Sequence, residues 1–268
     1  MKWIRALLVA ALLSLPAQGG EVMMMGYGAA GDTCTYATVP TVTVGAIAGS
    51  VTALSGQPTL PTGTVDGDLL ILVFETDVGE VPTVNGGLWT EAPSSPQEVG
   101  SAGSGTRLTA FYKIADADSN PSTNDPGDHI IGEMLRIPNA EYCHTNIFVA
   151  NNGNTQTPAT TSISISGATT SKAHALVLAI TSGGADGTST ADVEYETAGA
   201  GKWANSDLAS VTELADNRRM QGNGGEIGIA YGEKVAAGAY GATTVSANIS
   251  PAGSSTERAS ITLAIAGS

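Results

Sequence analysis

Charged and aromatic residues are scarce in this chain of 268 residues, at 13% and 5% of the sequence. In ordinary globular proteins about a quarter of the residues are charged. The chain has 11 Lys and Arg against 25 Asp and Glu, which gives a net charge of -14. Binding to nucleic acid needs clustered Lys and Arg to neutralise phosphates. We therefore expect no nucleic-acid partner.

Cysteine and histidine are also rare, with two and three residues. These numbers exclude a disulfide-rich scaffold and a zinc cluster built on cysteine, and they leave little room for a metalloenzyme. Export to an oxidising compartment would favour a disulfide between Cys34 and Cys143. The alternative is that Cys34 lies in a mobile tail while Cys143 is a buried thiol. The sequence leaves both open.

Long apolar runs are absent after the N-terminus, so we expect no membrane span once the leader is removed. Residues 1–19 have the features of a signal peptide: Lys2 and Arg5, then an apolar stretch, then small residues after Pro16. Other interpretations are a short N-terminal helix or a later start among the methionines at 23–25. A cleaved leader predicts an extracellular protein.

Residues 20–43 are rich in glycine and lack hydrophobic periodicity. Glycine raises the entropy cost of ordering a segment. We predict a flexible arm that has no core of its own and is ordered by contact with a partner subunit.

Strand patterns recur from residue 44 onward, and helical periodicity is nearly absent. Residues 68–74 are apolar and predict a central strand covered on both faces. Residues 107–114 alternate, with Arg107, Thr109 and Lys113 on one face. The other face carries the apolar members of this segment: Leu108, Ala110, Tyr112 and Ile114. We predict an all-β protein, an antiparallel β-sandwich with no helix longer than about three turns.

The chain divides into two similar β halves, residues 44–150 and 151–268, joined at residues 151–154. Each half runs in the order apolar strand, Trp, Tyr strand, apolar strand. The halves form either one jelly-roll-like sandwich or two tandem small sandwiches. Aromatic residues recur at matching positions and are interpreted as core anchors rather than a sugar-stacking platform: Trp89, Trp203, Tyr112 and Tyr231.

Catalytic motifs are missing: there is no HExxH, no phosphate-binding loop with its lysine and no GxSxG turn. The richest polar cluster is the loop at residues 116–128. Its four carboxylates are candidate calcium ligands because calcium prefers oxygen ligands: Asp116, Asp118, Asp125 and Asp128. Their spacing does not fit an EF-hand, and a solvated turn is the alternative. We predict no catalytic residues and no cofactor, with calcium as the one candidate ligand.

Three segments together resemble a known protein family: GDLLILV at 67–73, LWTE at 88–91 and TRLTAFYKIA at 106–115. The pattern is similar to β-sandwich proteins found in tailed-phage structural gene clusters and sometimes on bacterial surfaces. The resemblance implies a non-enzymatic virion component, namely a capsid decoration, tail or fibre protein. Its partners would be other copies of itself or other subunits of a particle.

The leader is a departure from that family, because phage particle proteins fold in the cytoplasm. It favours a second interpretation, an exported cell-surface adhesin, filament subunit or carbohydrate-binding module with a surface glycan as partner. A secreted hydrolase on a sandwich scaffold is a third, since sandwiches host unrelated functions.

Overall fold

The computed structural model describes residues 34–45, 48–50, 58–85, 88–103, 105–124, 127, 129–157, 162–187, 203–219, 222–246 and 257–268. The predicted signal peptide and residues 20–33 of the predicted arm lie outside the described residues. Within the described ranges, no helix is long and apolar enough to cross a membrane.

Strands dominate both halves, and among the described residues every strand pairing is antiparallel. The first half contains β1 (Thr43–Val44), β2 (Ala48–Ser50), β3 (Leu69–Thr76), β4 (Thr83–Asn85), β5 (Thr90–Glu91), β6 (Gln97–Val99), β7 (Thr106–Ile114), β8 (Ser122–Asn124) and β9 (Ile130–Ile137). The second contains β10 (Phe148–Gln156), β11 (Ser162–Ile165), β12 (Thr169–Thr170), β13 (Ala175–Gly187), β14 (Trp203–Ala204), β15 (Ala209–Arg219), β16 (Gly222–Lys234), β17 (Gly238–Ala239), β18 (Thr243–Ser246) and β19 (Arg258–Ile265). A 3-10 helix, Asn139–Glu141, lies between them. The predicted all-β, antiparallel fold is confirmed.

Each half builds one main sheet, and the two sheets have the same strand order. The first runs β1-β9-β3-β7-β5, with β2 also pairing β9 and β6 also pairing β7. The second runs β10-β19-β13-β16-β15. The registers also agree. Leu69 pairs with Ile114 and Ile137, and Leu176 takes the equivalent place between Glu233 and Ile265.

The main sheets pack face to face with a pseudo-twofold relation. Strand β7 contacts β19, while its counterpart β16 contacts β9, the counterpart of β19. At the edges, β1 contacts β15 and β6 contacts β10. Reciprocal contacts of this kind define an isologous interface in a dimer of identical subunits. Here both partners belong to one chain.

The central strand β3 is buried along its whole length, as its apolar sequence predicts. Leu69, Ile71 and Val73 join the core between the main sheets. The alternate residues Leu70, Leu72 and Phe74 join a second core on the outer face. The small sheet β4-β8 contributes Val84 to this outer core. In the second half, strands β11, β18 and β14 form the equivalent outer sheet.

The outer face of β7 is more buried than its polar residues suggest. Thr109 and Lys113, on the face opposite Leu108 and Ala110, are 2% and 9% exposed. The reason is the outer core, which also receives Phe111 from this strand and Trp89 from the preceding loop. Apolar and polar residues alternate along β7, yet both faces of this strand are covered by other parts of the protein.

The repeated aromatic residues pack as hydrophobic anchors but are not equally buried. Trp203 is buried in the outer core of the second half. Trp89 is partly buried in the outer core of the first half. Tyr112 and Tyr231 are partly buried at the edge of the core between the main sheets.

The observed structure has features of both predicted arrangements, the single sandwich and the two tandem small sandwiches. Each half pairs a main sheet with a small outer sheet, and the main sheets form one sandwich. The confirmed part of the prediction is the antiparallel sandwich made from two half-repeats. The strand order given above does not confirm the jelly-roll description.

The predicted join at residues 151–154 is wrong, because these residues lie within β10 and pair with β19. Their amide side chains do not form a turn. Asn152 Nδ2 donates to Gly167 O at 2.6 Å, and Asn154 Nδ2 donates to Ser164 O at 2.9 Å. The connection between the main sheets is instead the segment at residues 138–147.

The arm prediction needs correction for residues 34–43. Cys34 and Cys143 form a disulfide with a Cα–Cα distance of 5.6 Å, which decides the pairing that the sequence left open. Val39 and Val42 pack against the core between the main sheets, and Thr43 pairs with Arg136. This segment is therefore held by its own chain.

Candidate functional site

Gly67 and Asp68, the first two residues of the GDLLILV segment, form a hydrogen-bond network at the start of β3. Asp68 Oδ2 accepts hydrogen bonds from Val65 N at 2.9 Å and Arg136 Nε at 2.5 Å, while Oδ1 accepts from Asn139 N at 2.9 Å. Gly67 has a φ of 89°, a conformation that favours glycine. Its carbonyl accepts from the Tyr142 hydroxyl at 2.7 Å. The pair ties β3 to the segment that connects the halves.

The surroundings of Asp68 favour its charged form. Burial would raise the pKa of Asp68, but the hydrogen bond and charge of Arg136 and the backbone N–H groups of Val65 and Asn139 outweigh burial and hold the pKa below its ordinary value.

The strongest concentration of buried polar groups lies between the main sheets, at the end opposite to Asp68 on β3. Glu75 Oε2 lies 3.0 Å from His129 Nε2, and Glu75 Oε1 accepts from the Thr106 hydroxyl at 3.1 Å. The Thr106 hydroxyl lies 2.9 Å from the Ser182 hydroxyl of the other sheet. Of these four side chains, His129 is the most exposed, at 2%. We call these four side chains the interface cluster.

A buried ion pair lies on the outer face of the second main sheet, because Glu226 and Arg258 alternate with the inward-facing Ile227 and Ala259. Arg258 Nη2 lies 2.7 Å from Glu226 Oε1, and both side chains are buried. A Cβ at Gly183 would overlap the Arg258 guanidinium. Glycine at this position therefore makes room for a charged side chain on the outer face of the second main sheet.

The interface cluster repeats the pseudo-twofold relation of the sheets. By strand register, Ser182 corresponds to Glu75, and Gly225 corresponds to Thr106. Glu75 lies against Gly225, so closely that a Cβ there would overlap its carboxylate, and Thr106 meets Ser182. The same pair of positions therefore meets twice across the interface. In one contact the Glu75 carboxylate lies over Gly225, and in the other the hydroxyl groups of Thr106 and Ser182 meet.

Burial dominates the electrostatics of Glu75. It raises the pKa of Glu75, and the nearby Glu226 carboxylate acts in the same direction. His129 and the Thr106 hydroxyl oppose this shift through charge and hydrogen bonding. The cluster places Glu75 beside His129, so the acid has a basic partner inside the interface.

A further buried acid, Glu133, lies elsewhere in the same interface. It shares the inward face of β9 with Ile131 and Leu135 and is fully buried. Asn217 Nδ2 of the opposite sheet donates to its Oε2, while Oε1 has no hydrogen-bond partner among the described residues. Burial raises the pKa of Glu133 to about 8 despite the bond from Asn217. Glu133 is therefore mostly protonated at neutral pH.

The groups of the interface cluster are ordered differently from those of a Ser-His-Asp triad. A hydrolytic triad needs a base in contact with its nucleophilic hydroxyl. Here the Thr106 hydroxyl contacts a carboxylate and another hydroxyl, while the His129 imidazole contacts Glu75 on its far side. The arrangement satisfies buried polar groups across the two sheets.

The candidate calcium ligands do not all fall within the described residues. Asp125 and Asp128 lie outside them. Asp118 Oδ1 accepts from Lys113 Nζ at 2.5 Å, and its Oδ2 accepts from Asp116 N at 3.0 Å. Asp116 itself is exposed. The described residues contain no group of three or more His, Cys, Asp or Glu arranged to hold a metal ion.

Sequence reasoning did not identify the interface cluster, because its members are far apart in the chain. One local signal was present: Glu75 follows an apolar run inside a strand that is buried on both faces. A charge at such a position needs a partner. His129 directly precedes β9 and is buried as the partner of Glu75.

Comparisons of the chain with protein family models, with curated proteins and with solved structures gave no match.

Proposed function

We propose that this protein is a non-enzymatic structural subunit of an extracellular assembly, with a phage virion component (a capsid decoration, tail or fibre protein) as the leading candidate. The observation that carries the proposal is the use of charged groups inside the interface. Glu75 is paired with His129 and is buried where the halves meet. Such groups stabilise one arrangement of the sheets, which is what a building block requires.

The covalent link supports an extracellular location. The disulfide between Cys34 and Cys143 spans 109 residues of sequence. Disulfides persist in oxidising environments, and long cross-linked loops restrict the unfolded chain most strongly. The resemblance of the segments at 67–73, 88–91 and 106–115 to the phage-associated sandwich family supports the choice of a virion.

An exported bacterial surface protein is the second candidate, as an adhesin, filament subunit or carbohydrate-binding module. The disulfide favours it as well, together with the leader-like residues 1–19. Its partner would be a surface glycan or further copies of itself, whereas the virion candidate requires other particle subunits.

Localisation separates the two candidates. Antibodies against the purified protein would be applied to whole cells and to purified particles from the same culture, with gold-labelled secondary antibody for electron microscopy. Regular labelling of particles supports a virion component, and labelling confined to the cell surface supports the second candidate.

The absence of turnover needs its own experiment. The purified full-length protein would be incubated with a panel of bacterial polysaccharides, and released reducing ends would be measured over a day. We expect no release above that of heat-denatured protein. Hydrolysis by the parent that is lost in Glu75→Gln, with the fold retained by circular dichroism, would overturn the proposal and make the interface cluster an active site.

A further inference from the structure

Residues 34–45, the N-terminal strap, contact both halves of the sandwich. Toward the first half, Thr43 and Val44 pair with β9. Toward the second half, the Thr35 hydroxyl donates to Ser268 O at 3.0 Å, and Lys172 Nζ lies 4.2 Å from the centre of the Tyr36 ring. The strap therefore connects the same two halves whose main sheets are linked by the interface cluster.

The two ends of the strap are held in different ways. Residues 39–45 are anchored by packing and by backbone pairing: Val39, Val42 and Val44 contact the main core. Thr41 N and its hydroxyl both donate to Glu141 Oε2, at 2.5 and 2.6 Å. These contacts do not depend on the disulfide.

Residues 34–38 have no strand pairing and contribute no residue to a hydrophobic core. Thr35, Ala37 and Thr38 are exposed. The hydrogen bond of Thr35 and the Lys172–Tyr36 contact are surface contacts, and Thr38 adds a backbone carbonyl that packs against the buried Gly267. Surface contacts of this type contribute little stability, so the covalent bond to Cys143 is the strongest hold on this end.

We propose that the Cys34–Cys143 disulfide is a redox-controlled latch: when oxidised it fixes residues 34–38 across the two halves, and its reduction releases them while the sandwich stays folded. Cys34 is only partly buried, whereas Cys143 is 1% exposed, so an incoming thiolate reaches the Cys34 sulfur first. It forms a mixed disulfide with Cys34, and Cys143 leaves as a thiolate.

A dithiol completes the reduction. Its second thiolate attacks the mixed disulfide and releases Cys34, and the dithiol leaves as a cyclic disulfide after giving up two electrons. Two protons from solvent convert the protein sulfurs to thiols. Because the cytoplasm keeps thiols reduced, the latch is open during synthesis. After export or release it closes by exchange with a disulfide oxidant, which takes up the two electrons and two protons and leaves as a dithiol.

Chymotrypsin provides the test, because Tyr36 is an aromatic cleavage site inside the releasable segment. The full-length protein would be digested at a low protease ratio with and without dithiothreitol, and cleavage after Tyr36 would be followed by mass spectrometry. The mass increase of two hydrogens verifies reduction. We expect cleavage after Tyr36 to accelerate at least tenfold on reduction, while cleavage after Tyr112 and Tyr231 stays slow.

The double variant Cys34→Ser/Cys143→Ser is the matched control. It should be cleaved rapidly after Tyr36 whether or not dithiothreitol is present. Two results would overturn the proposal: an unchanged rate at Tyr36 in the reduced parent, or fast cleavage throughout the chain, which would mean that the disulfide holds the whole fold rather than one segment.

Discussion

The carboxylate of Glu75 occupies the space that a side chain at Gly225 of the opposite sheet would need. The pseudo-equivalent contact is made by Thr106 and Ser182, so the same pair of positions is filled in two ways within one interface. The halves have therefore diverged into complementary partners at their contact.

Gly225→Ala tests this complementarity. The new methyl group would displace the Glu75 carboxylate from its contacts with His129 and Thr106, and we expect a loss of about 1–3 kcal/mol in the free energy of unfolding, as for overpacked cores. Urea unfolding at pH 7 measures it. Gly241→Ala is the control, because Gly241 is exposed and its nearest neighbour is the flexible end of Asp207.

A double variant distinguishes loss of the contact with Glu75 from a local backbone effect of Gly225→Ala. Glu75→Ser removes the side chain that the new methyl group would displace, so the two substitutions should be less harmful together than the sum of their separate effects. Strict additivity would argue against a direct contact between the two positions.

Glu133→Gln should stabilise the protein increasingly as pH rises. The folded-state pKa of Glu133 is raised to about 8 from 4.5, so the parent loses stability as pH rises through this interval and Gln, which does not ionise, avoids the loss. The gain should be small near pH 4.5 and reach a plateau above pH 8, on the order of a few kcal/mol.

Urea unfolding of parent and variant at pH values from 4.5 to 9 measures that gain. Glu91→Gln, at an exposed position, should show no such trend. An equal difference between parent and variant at all pH values would contradict a raised pKa at Glu133.

Asp68→Asn should have the opposite dependence on pH. The folded-state pKa of Asp68 is lowered, so its stabilising contribution is present above the ordinary value of 3.8 and is lost as pH falls through the folded-state value. At pH 7 we expect a cost of about 3 kcal/mol, because Arg136 loses its buried partner. The cost should shrink at acidic pH.

Thermal or urea unfolding at pH 7 and pH 3 gives the comparison for Asp68→Asn. Asp66→Asn is the matched control: Asp66 is exposed and accepts one hydrogen bond, from Ala117 N at 2.7 Å. A loss at Asp66 as large as that at Asp68 would show that the network around Arg136 is not the cause.

Removing one partner of the Glu226–Arg258 ion pair should lower the free energy of unfolding more than replacing both partners. Arg258→Met leaves Glu226 buried without its cation, for an expected loss of about 3–5 kcal/mol. Adding Glu226→Gln removes the uncompensated charge, so the double variant should regain part of that stability. Equilibrium unfolding of the two single variants and the double variant measures the coupling, and a double variant less stable than both single variants would refute this account.

Several features of the fold could be predicted from the sequence because they depend on local patterns. The apolar run at residues 69–74 predicted a strand buried on both faces, and the repeated order of apolar, Trp and Tyr segments predicted two related halves. These signals arise from side-chain periodicity, which a chain expresses whatever its long-range contacts. The predicted join at residues 151–154 was wrong because asparagine is common in turns. In the structure, the Asn152 and Asn154 side chains instead donate hydrogen bonds to neighbouring backbone carbonyls.

The sequence by itself determined the all-β class, the two halves and the lack of recognisable catalytic motifs. Tertiary structure decided which residues meet: Cys34 with Cys143, Glu75 with His129 and Gly225, and Glu133 with Asn217. These partners are separated by tens to more than a hundred residues, and only the antiparallel registers and the reversed stacking of the main sheets bring them together. Pairing across such distances depends on the packing of whole sheets, which no short pattern in the chain encodes.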